Sequence, residues 1–329
     1  MKPYSFFEKL LHELILSNQF VREATFSAES MTMSRQYYDS NQDHIFIAGL
    51  ARSGTTILLN KIYETELFAS LSYTDMPFIL APNIWAKMNF KSNNTILSDR
   101  LHGDGIRISL ESPEAFEEVF WKTFDDKDKD SKKKFIKFVN NVLLRHDKKR
   151  YLSKNNQNIR RLRVINEIYP NALIIIPFRD PLQHSYSLFR QHMNFIDLSR
   201  NDPFIGKYMK LIGHTEFGSN YRPIIQDNLE YPNSSDPNHW IEQWNLVYLD
   251  CLKLIRSIDM SNINFLSYDY LCTQPLTWKN ILSKSKIPFK SMNDGSKFKI
   301  SKKNIPLVFD EKQMRQAFTL HENLLDLSL

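Results

Sequence analysis

The amino-acid sequence predicts an α/β fold in which helices cover both faces of one central parallel sheet. Three apolar runs lead to this prediction. The first, at 45–48, is short and is followed by a glycine-containing loop and a helical pattern. The second, ALIIIPF at 172–178, has the continuous apolar character of a strand buried on both faces. The third, INFLSYD at 263–269, follows further helical segments, and strands that alternate with helices are typical of a parallel sheet.

Length and composition indicate a folded globular protein. The chain has 329 residues, of which 42% are apolar and 24% charged, and this balance excludes a disordered chain. We interpret residues 1–329 as one domain. The net charge of +6 comes from acidic and basic residues that are interspersed along the chain. We therefore expect anionic small-molecule ligands and no nucleic acid as partner.

The cysteines and the N-terminus bear on the compartment. Cys251 and Cys272 have no metal-type spacing and form no disulfide framework, which favours a reducing compartment. The first apolar stretch contains Glu8, His12 and Glu13, so it resembles an amphipathic helix more than a signal peptide. No run approaches the roughly 18–20 apolar residues that span a bilayer. We expect a cytoplasmic protein without a transmembrane segment.

Local patterning predicts the helices of the first third of the chain. A packing helix is predicted at 5–17, inside an N-terminal helical extension at 1–40, from the apolar positions Phe6, Phe7, Leu10, Leu11 and Leu14. A second helix is predicted at about 55–68, directly after the glycine-containing loop. The tripeptide SPE at 112–114 has the features of a helix start, because Ser caps, Pro suits the first position and Glu favours the positive end of the dipole.

The later segments are predicted in the same way. The charged stretch DDKDKDSKKK at 125–134 is expected to be an exposed connection. Helices are predicted at about 133–145 and across 159–168, ahead of the turn that leads into the second apolar run. The segment 285–304 is rich in lysine and poor in apolar residues, so we interpret it as a basic mobile loop that covers a ligand.

The loop GLARSGTT at 49–56 has the spacing G-x-x-x-x-G between a strand and a helix, as in P-loop nucleoside triphosphatases. We therefore predict a sheet of that P-loop-like kind. Such a loop offers backbone N–H groups to an anion at the start of a helix. Where a triphosphatase carries Lys after the second Gly, this chain has Thr55, and a cation, Arg52, lies inside the loop instead.

A second anion site is predicted at the end of the second apolar run. A triphosphatase would place a metal-holding Asp at a strand end, but this strand presents Arg179, followed by Asp180 and, eight residues after Arg179, by Ser187. Two anion sites at two strand ends suit a nucleoside with phosphates at both ends.

These motifs resemble those of the sulfotransferases that use 3′-phosphoadenosine-5′-phosphosulfate. The resemblance rests on RSGTT at 52–56, on RDP with its later Ser at 179–187, on KNNQNIRRL at 154–162 and on SYDYL at 267–271, in the family's order. It implies that the loop holds the 5′-phosphosulfate, and that Arg179 and Ser187 hold the 3′-phosphate. The loop residues concerned are Leu50, Ala51, Arg52, Ser53, Gly54, Thr55 and Thr56.

The resemblance also implies a metal-independent reaction in which a cation stabilises the leaving bisphosphate. Arg52 is the predicted leaving-group cation, and Lys154 is a second candidate. Asp75, in SYTDMPF, occupies the place where related enzymes carry a catalytic carboxylate, although the common residue there is Glu. His102, in LHGDG, is the alternative general base. The sequence leaves the choice between Asp75 and His102 open.

Several other residues were interpreted without a role in catalysis. His184 and His192 are predicted to be surface histidines, and Trp244 to belong to a packed helix. Three carboxylates are interpreted as helix-start charges, of which one could face the acceptor: Glu114, Glu117 and Glu118.

The resemblance implies sulfuryl transfer to a hydroxyl. The R-S-G-T-T form of the loop resembles that of the family's carbohydrate branch more than that of its small-molecule branch, which implies a carbohydrate or a surface-polysaccharide or glycolipid precursor as acceptor. Three alternatives remain at this point. They are a sulfotransferase of small phenols or alcohols, a P-loop kinase or triphosphatase without its usual lysine, and an inert nucleotide-binding protein. The sequence predicts neither the acceptor's identity nor the oligomeric state.

Overall fold

A computed structural model describes residues 6–32, 43–88, 112–225, 233–257, 261–288, 298–300 and 302–329, and the backbone of 98–99 and 107–108. Its central sheet has five parallel strands. These are β1 Ile45–Ile47, β2 Phe68–Ala69, β5 Arg150–Lys154, β6 Leu173–Phe178 and β7 Ile263–Ser267, in the order β2-β5-β1-β6-β7. A separate antiparallel pair joins β3 Ser98–Asp99 to β4 Arg107–Ile108.

Helices precede, connect and follow the strands. Their bounds are α1 Phe6–Ser17, α2 Gln19–Thr32, α3 Thr55–Tyr63, α4 Pro82–Met88, α5 Glu118–Thr123, α6 Lys129–His146, α7 Leu162–Ile168, α8 Pro181–Asn201, α9 Pro203–Leu211, α10 Pro237–Ser257, α11 Tyr268–Thr273, α12 Pro275–Lys284 and α13 Glu311–Asp326. Short 3₁₀ turns occur at Tyr73–Asp75, Asn156–Arg160 and Gly218–Asn220.

Alternate side chains of the strands pack against helices on opposite faces of the sheet. On one face, Ile45 and Ile47 of β1 belong to an apolar cluster with Leu58 of α3 and Trp278 of α12. On the other face, Phe46 lies between these two isoleucines in sequence and belongs to a second apolar cluster, to which α6, α8, α10 and α13 contribute. Successive side chains of a strand point to opposite faces, so a central strand that is apolar throughout is covered on both sides. The predicted α/β fold with a P-loop-like parallel sheet is confirmed.

The connections that leave β1 and β6 run to opposite faces. Helix α3, after β1, packs with Ile45 and Ile47, whereas α8, after β6, contributes Leu188 to the cluster around Phe46. The two strands are neighbours. Diverging connections open a crevice at the carboxyl ends of such strands, and this is where ligands bind in open parallel sheets. Both predicted anion-binding motifs lie at this crevice.

Two predicted helices have different bounds in the structure. The helix predicted from Ser112 begins at Glu118, because Pro113 forms an antiparallel bridge with Ser72 and the Glu114 N–H donates to the Leu71 carbonyl. These contacts hold the SPE tripeptide in an extended conformation. The helix predicted at 55–68 ends at Tyr63, which leaves room for the short strand β2.

Three further segments also differ in part from the predictions. Helix α6 begins at Lys129, inside the stretch that was expected to be a connection, because the Asp128 side chain accepts the Asp130 N–H and caps the helix. The predicted helix at 159–168 is a 3₁₀ turn followed by α7. In the segment 285–304, residues 289–297 and 301 lie outside the described residues.

Candidate active site

The glycine-containing loop at 49–56 joins β1 to α3 through a tight turn. The Ser53 hydroxyl donates to the Leu50 carbonyl at 2.8 Å, and the Ser53 N–H donates to the same oxygen at 3.3 Å. Arg52 has φ 71° and Gly54 has φ 99°, so two loop residues are in left-handed conformations. Loops in which left-handed residues alternate with residues of the ordinary hand turn backbone N–H groups toward one side, an arrangement that binds anions.

Gly54 is required both by its conformation and by the ring that packs on it. A Cβ atom at this position would lie 2.3 Å from Cδ2 of Tyr268, the first residue of α11. The φ of 99° is in addition one that other residues adopt only with strain. The aromatic ring after β7 therefore contacts the start of α3.

The second predicted motif begins α8 and contacts the loop directly. Asp180 caps the helix, since its carboxylate accepts the Gln183 N–H at 2.9 Å, and Pro181 occupies the first turn. Arg179 Nη1 donates to the Arg52 carbonyl at 3.4 Å, and Arg52 Nε donates to the Ser187 hydroxyl at 3.3 Å. The structure thus brings Arg52, Arg179 and Ser187 together, as the two motifs predicted.

Two more cations lie at this site. Partial burial lowers the pKa of the Lys303 ammonium, and three nearby guanidinium groups lower it further, those of Arg190, Arg52 and Arg179. Arg190 is one helical turn beyond Ser187 on α8. Neighbouring like charges repel, and a bound polyanion would offset that repulsion. The site therefore has the electrostatics of a polyanion-binding site.

The C-terminal segment is attached to α8 by two hydrogen bonds between one side chain of the helix and the backbone of Lys303. The Gln183 side-chain amide donates to the Lys303 carbonyl and accepts the Lys303 N–H, both at 2.9 Å. The Tyr268 hydroxyl donates to the Lys299 carbonyl at 3.3 Å. Lys299 and Lys303, from the basic segment predicted to cover a ligand, are thereby held beside the two motifs, whereas Lys297 lies outside the described residues.

Lys154 ends β5 beside the loop and is buried, with 6% of its surface exposed. It pairs in register with Ile47 of β1, and the next N–H, of Asn155, donates to the Ile47 carbonyl at 3.2 Å. The carboxyl ends of parallel strands meet at one edge of the sheet, so Lys154 and the loop share that edge. This burial differs from that of a lysine on a solvated surface.

Asp75 has the contacts of a capping residue. Its Oδ2 accepts the Ser72 N–H at 2.8 Å, in a capping box, and Oδ1 lies 3.9 Å from Arg145 Nε. Burial raises the pKa of this carboxyl to about 6, against the hydrogen bonds and the charge of Arg145, which lower it. His146 lies 4.0 Å away, but burial lowers its pKa to about 4, so it is neutral at pH 7.

Of the other predicted acid and base residues, His102 lies outside the described residues. Glu117 is fully enclosed by four donors, on Trp121, Asn158, Tyr151 and Ser153, and burial raises its pKa. Glu118 is paired with Arg161 through two hydrogen bonds of 2.8 and 2.9 Å. Glu114 accepts the Tyr73 hydroxyl at 3.2 Å. Glu117 and Glu118 therefore have structural partners.

The interpretation of His184 and His192 as surface histidines is wrong. His184 is fully buried and His192 is 1% exposed, because the face of α8 that carries them packs under α10 and the loop. His184 Nε2 lies 2.8 Å from the Ala51 carbonyl, and the Trp244 indole N–H donates to His184 Nδ1 at 3.2 Å. Sequence reasoning missed this contact, although His184 is three residues before Ser187 and hence on the same helical face.

The described residues contain neither a cluster of metal ligands nor a membrane-spanning helix. Among these residues, no group of three or more His, Cys, Asp or Glu side chains is arranged to hold a metal ion. None of the helices that the structure describes has both the length and the apolar character needed to cross a membrane.

Comparisons with known proteins bear on the family and the fold of the chain. The model of a family described as the sulfotransferase family matches residues 44–215. The fold is similar to that of sulfotransferase STF1 from Mycobacterium tuberculosis H37Rv, with a TM-score of 0.50 and 13% identity over 96% of this chain and 81% of that one. Sulfotransferase STF9 from Mycobacterium avium gives a TM-score of 0.49 and 10% identity over 98% and 79%. None of the curated proteins matches the chain.

Proposed function

The chain belongs to the sulfotransferase family, whose model matches just over half of it, and on that premise we propose that it takes the sulfuryl group from 3′-phosphoadenosine-5′-phosphosulfate. Sulfuryl transfer follows from the family. The observation that carries the donor is the contact of the two motifs, in which Arg52 Nε meets the Ser187 hydroxyl and Arg179 holds the Arg52 carbonyl. A donor with two anionic groups matches two adjoining anion-binding motifs.

Each motif suits one end of this donor. The glycine-containing loop, with N–H groups turned to one side and the Thr55 and Thr56 hydroxyls at the start of α3, is proposed to hold the 5′-phosphosulfate. Arg179 and Ser187 are proposed to hold the 3′-phosphate. Charge-assisted hydrogen bonds from guanidinium to phosphate are among the stronger polar contacts in proteins. The guanidinium groups near Lys303 and the hydrogen bonds of its backbone support a further cation over the donor.

The reaction is an in-line displacement at sulfur. The acceptor oxygen forms a bond to sulfur while the bond from sulfur to the bridging oxygen of the 5′-phosphate breaks, and the electron pair leaves with the bisphosphate. Arg52 and Lys154 are proposed to stabilise the charge that develops on that oxygen. The acceptor proton passes to a general base. This scheme assigns no role to a metal ion.

The general base stays a prediction, with Asp75 and His102 as the two candidates. The raised pKa of Asp75, about 6, is suited to a base. Its hydrogen bond to the Ser72 N–H and its position 3.9 Å from Arg145 favour a structural role instead. These contacts of Asp75 count against it as the general base, which leaves His102 as the other candidate.

The acceptor is proposed to be a hydroxyl of a carbohydrate, such as a surface-polysaccharide or glycolipid precursor. This proposal rests on the R-S-G-T-T form of the loop, which resembles that of carbohydrate sulfotransferases more than that of the small-molecule branch. A cytoplasmic location is proposed with it. Cys251 and Cys272 are free thiols, which supports a reducing compartment.

The donor can be tested by calorimetry with adenosine 3′,5′-bisphosphate, with and without Mg²⁺, and with ATP under the same conditions. We expect micromolar binding of the bisphosphate that does not require the metal. Arg179→Ala and Ser187→Ala should each weaken it, whereas Arg163→Ala, an exposed arginine on α7, should not. A preference for Mg·ATP would refute the proposed donor and favour a kinase-like protein.

A further inference from the structure

A buried histidine lies directly behind the glycine-containing loop. His184, in the first turns of α8, has no exposed surface. One ring nitrogen, Nε2, lies 2.8 Å from the Ala51 carbonyl, and the other, Nδ1, lies 3.2 Å from the indole nitrogen of Trp244. The ring therefore joins α10, through Trp244, to the residue that precedes Arg52.

The partner of each ring nitrogen determines which one carries the proton. The indole N–H of Trp244 can only donate, so His184 Nδ1 must accept. The proton of the neutral ring is then on Nε2, which donates to the Ala51 carbonyl. Burial lowers the pKa of His184 to about 3, so the ring stays neutral throughout the physiological range. His184 is a fixed hydrogen-bond donor and takes no part in proton transfer.

The hydrogen bond at Ala51 has a direct consequence for the amide of Arg52. In a trans peptide the C=O and the N–H point in opposite directions. His184 draws the Ala51 carbonyl toward α8, so the Arg52 N–H is turned to the opposite side. The peptide between Arg52 and Ser53 is held at both of its polar groups. Its N–H, on Ser53, donates to the Leu50 carbonyl, and its carbonyl, on Arg52, accepts from Arg179.

Arg52 itself adopts a conformation that requires support. Its φ of 71° is uncommon for a residue with a side chain, and such a conformation persists where neighbouring contacts hold it. The two carbonyls that flank it, those of Ala51 and Arg52, are both held by residues of the second motif, His184 and Arg179. Residues of the second motif thus hold the backbone conformation of the first motif at Arg52.

From these contacts we infer that His184, held by Trp244, is a positioning residue that sets the Arg52 amide and side chain for the donor. The inference rests on the proposed function in so far as the donor is the sulfuryl nucleotide. His184 acts through the loop and does not itself contact the donor. The hydrogen bond from His184 to Ala51 orders the loop whether or not a ligand is bound.

The test compares three variants of the full chain. His184→Leu removes the donor to Ala51, and His184→Gln restores an amide N–H near the position of Nε2. His44→Leu is the matched control, because His44 is also buried and accepts the Tyr151 N–H at 3.0 Å, but precedes β1 at the end away from the loop. Two quantities are measured: amide hydrogen exchange of residues 49–56 by mass spectrometry, and calorimetric binding of adenosine 3′,5′-bisphosphate.

We expect His184→Leu to speed exchange in the loop and to weaken bisphosphate binding about tenfold, the equivalent of one lost oriented hydrogen bond. His184→Gln should restore both to within about threefold, and His44→Leu should change neither by more than about twofold. Equal effects of His184→Leu and His44→Leu on the loop would overturn the inference. If the wild type binds no bisphosphate, the proposed donor fails, and loop exchange still decides the role of His184.

Discussion

The Nε of Arg52 donates to the Ser187 hydroxyl over 3.3 Å, which joins two motifs that lie 135 residues apart in the chain. One side chain follows β1 and the other lies on α8, after β6. Because the two strands are neighbours and their connections diverge, both motifs reach the same crevice.

Arg52 is expected to contribute mainly to the chemical step. Arg52→Ala should lower kcat by about 10²–10³, the usual effect of removing one group that stabilises a developing oxyanion. Arg52→Lys should recover part of the rate, because it keeps the charge and loses the geometry of the guanidinium. The measurement is the initial rate of transfer from labelled donor to a sugar acceptor. Retention of the wild-type rate in Arg52→Ala would contradict the assignment.

Lys303 is expected to contribute to donor affinity through its charge. Lys303→Ala should weaken bisphosphate binding about threefold to tenfold and reduce its dependence on salt, because one fewer cation faces the anion. Lys302→Ala is the matched control, since Lys302 is the adjacent lysine and is exposed as Lys303 is. The measurement is calorimetry at two salt concentrations. Equal effects of the two substitutions would show that position 303 has no special role.

Gly54 is expected to tolerate no side chain. Gly54→Ala should weaken bisphosphate binding by at least about tenfold, since the left-handed conformation costs about 1–2 kcal/mol and the added Cβ would lie 2.3 Å from the Tyr268 ring. Adding Tyr268→Ala should relieve the clash but not the strain, so recovery should be partial. Gly206→Ala, at a helical glycine without positive φ, is the control for stability. Full recovery in the double variant would mean that the strain is negligible.

Asp75 makes folding stability depend on pH. The folded pKa of Asp75, about 6, lies above the ordinary value of 3.8, so the folded state binds more protons than the unfolded state between those values. The free energy of unfolding should therefore fall as pH rises from about 4 to 6, by roughly 2–3 kcal/mol for such a shift. Asp75→Asn should lose this decrease, as measured by urea unfolding at several pH values.

The same variant distinguishes a capping residue from a general base. An asparagine at 75 can still accept the Ser72 N–H, so kcat should stay within about threefold of the wild type if Asp75 only caps. Loss of a general base would instead lower the rate about 10²–10⁴-fold. A loss of that size in a folded Asp75→Asn protein would return Asp75 to the role predicted from the sequence.

Glu29 caps a helix from another part of the chain. Its carboxylate is fully buried and accepts the backbone N–H groups of Asn83 and Ile84, at 2.8 and 3.0 Å, in the first turn of α4. Glu29→Ala should lower the free energy of unfolding by about 2–4 kcal/mol, because both N–H groups and the Asn83 side-chain amide lose their acceptor. Glu23→Ala on the same helix should cost less than about 0.5 kcal/mol. Urea unfolding measures both.

The motifs were predictable because their chemistry is local. Loop spacing, the cation at 52 and the strand that ends at Arg179 are all visible in short stretches of the sequence. Strand β2 was not localised, because two residues carry no periodicity. The SPE tripeptide has the residues of a helix start, but its bridge to Ser72 is a long-range contact that overrides that preference.

The candidate site was predicted in part for the same reason. Arg52, Arg179 and Ser187 carry the motifs and meet as expected, whereas Arg190 and Lys303 are ordinary basic residues in sequence and join the site only through the packing of α8 and the C-terminal segment. His184 was missed because a histidine's role depends on the partners of its two nitrogens. Those partners, Ala51 and Trp244, are 133 and 60 residues away.

The sequence by itself determined the fold class, the order of the two anion-binding motifs and the family they resemble, since these depend on hydrophobic patterning and on residues close together in the chain. Tertiary structure decided which side chains contact each other across the chain. It turned Asp75 toward Ser72 and Arg145, buried Lys154 at a strand end and placed His184 behind the loop. The physical reason is that burial, hydrogen-bond partners and pKa values are set by contacts between distant residues, which exist only after the chain has folded.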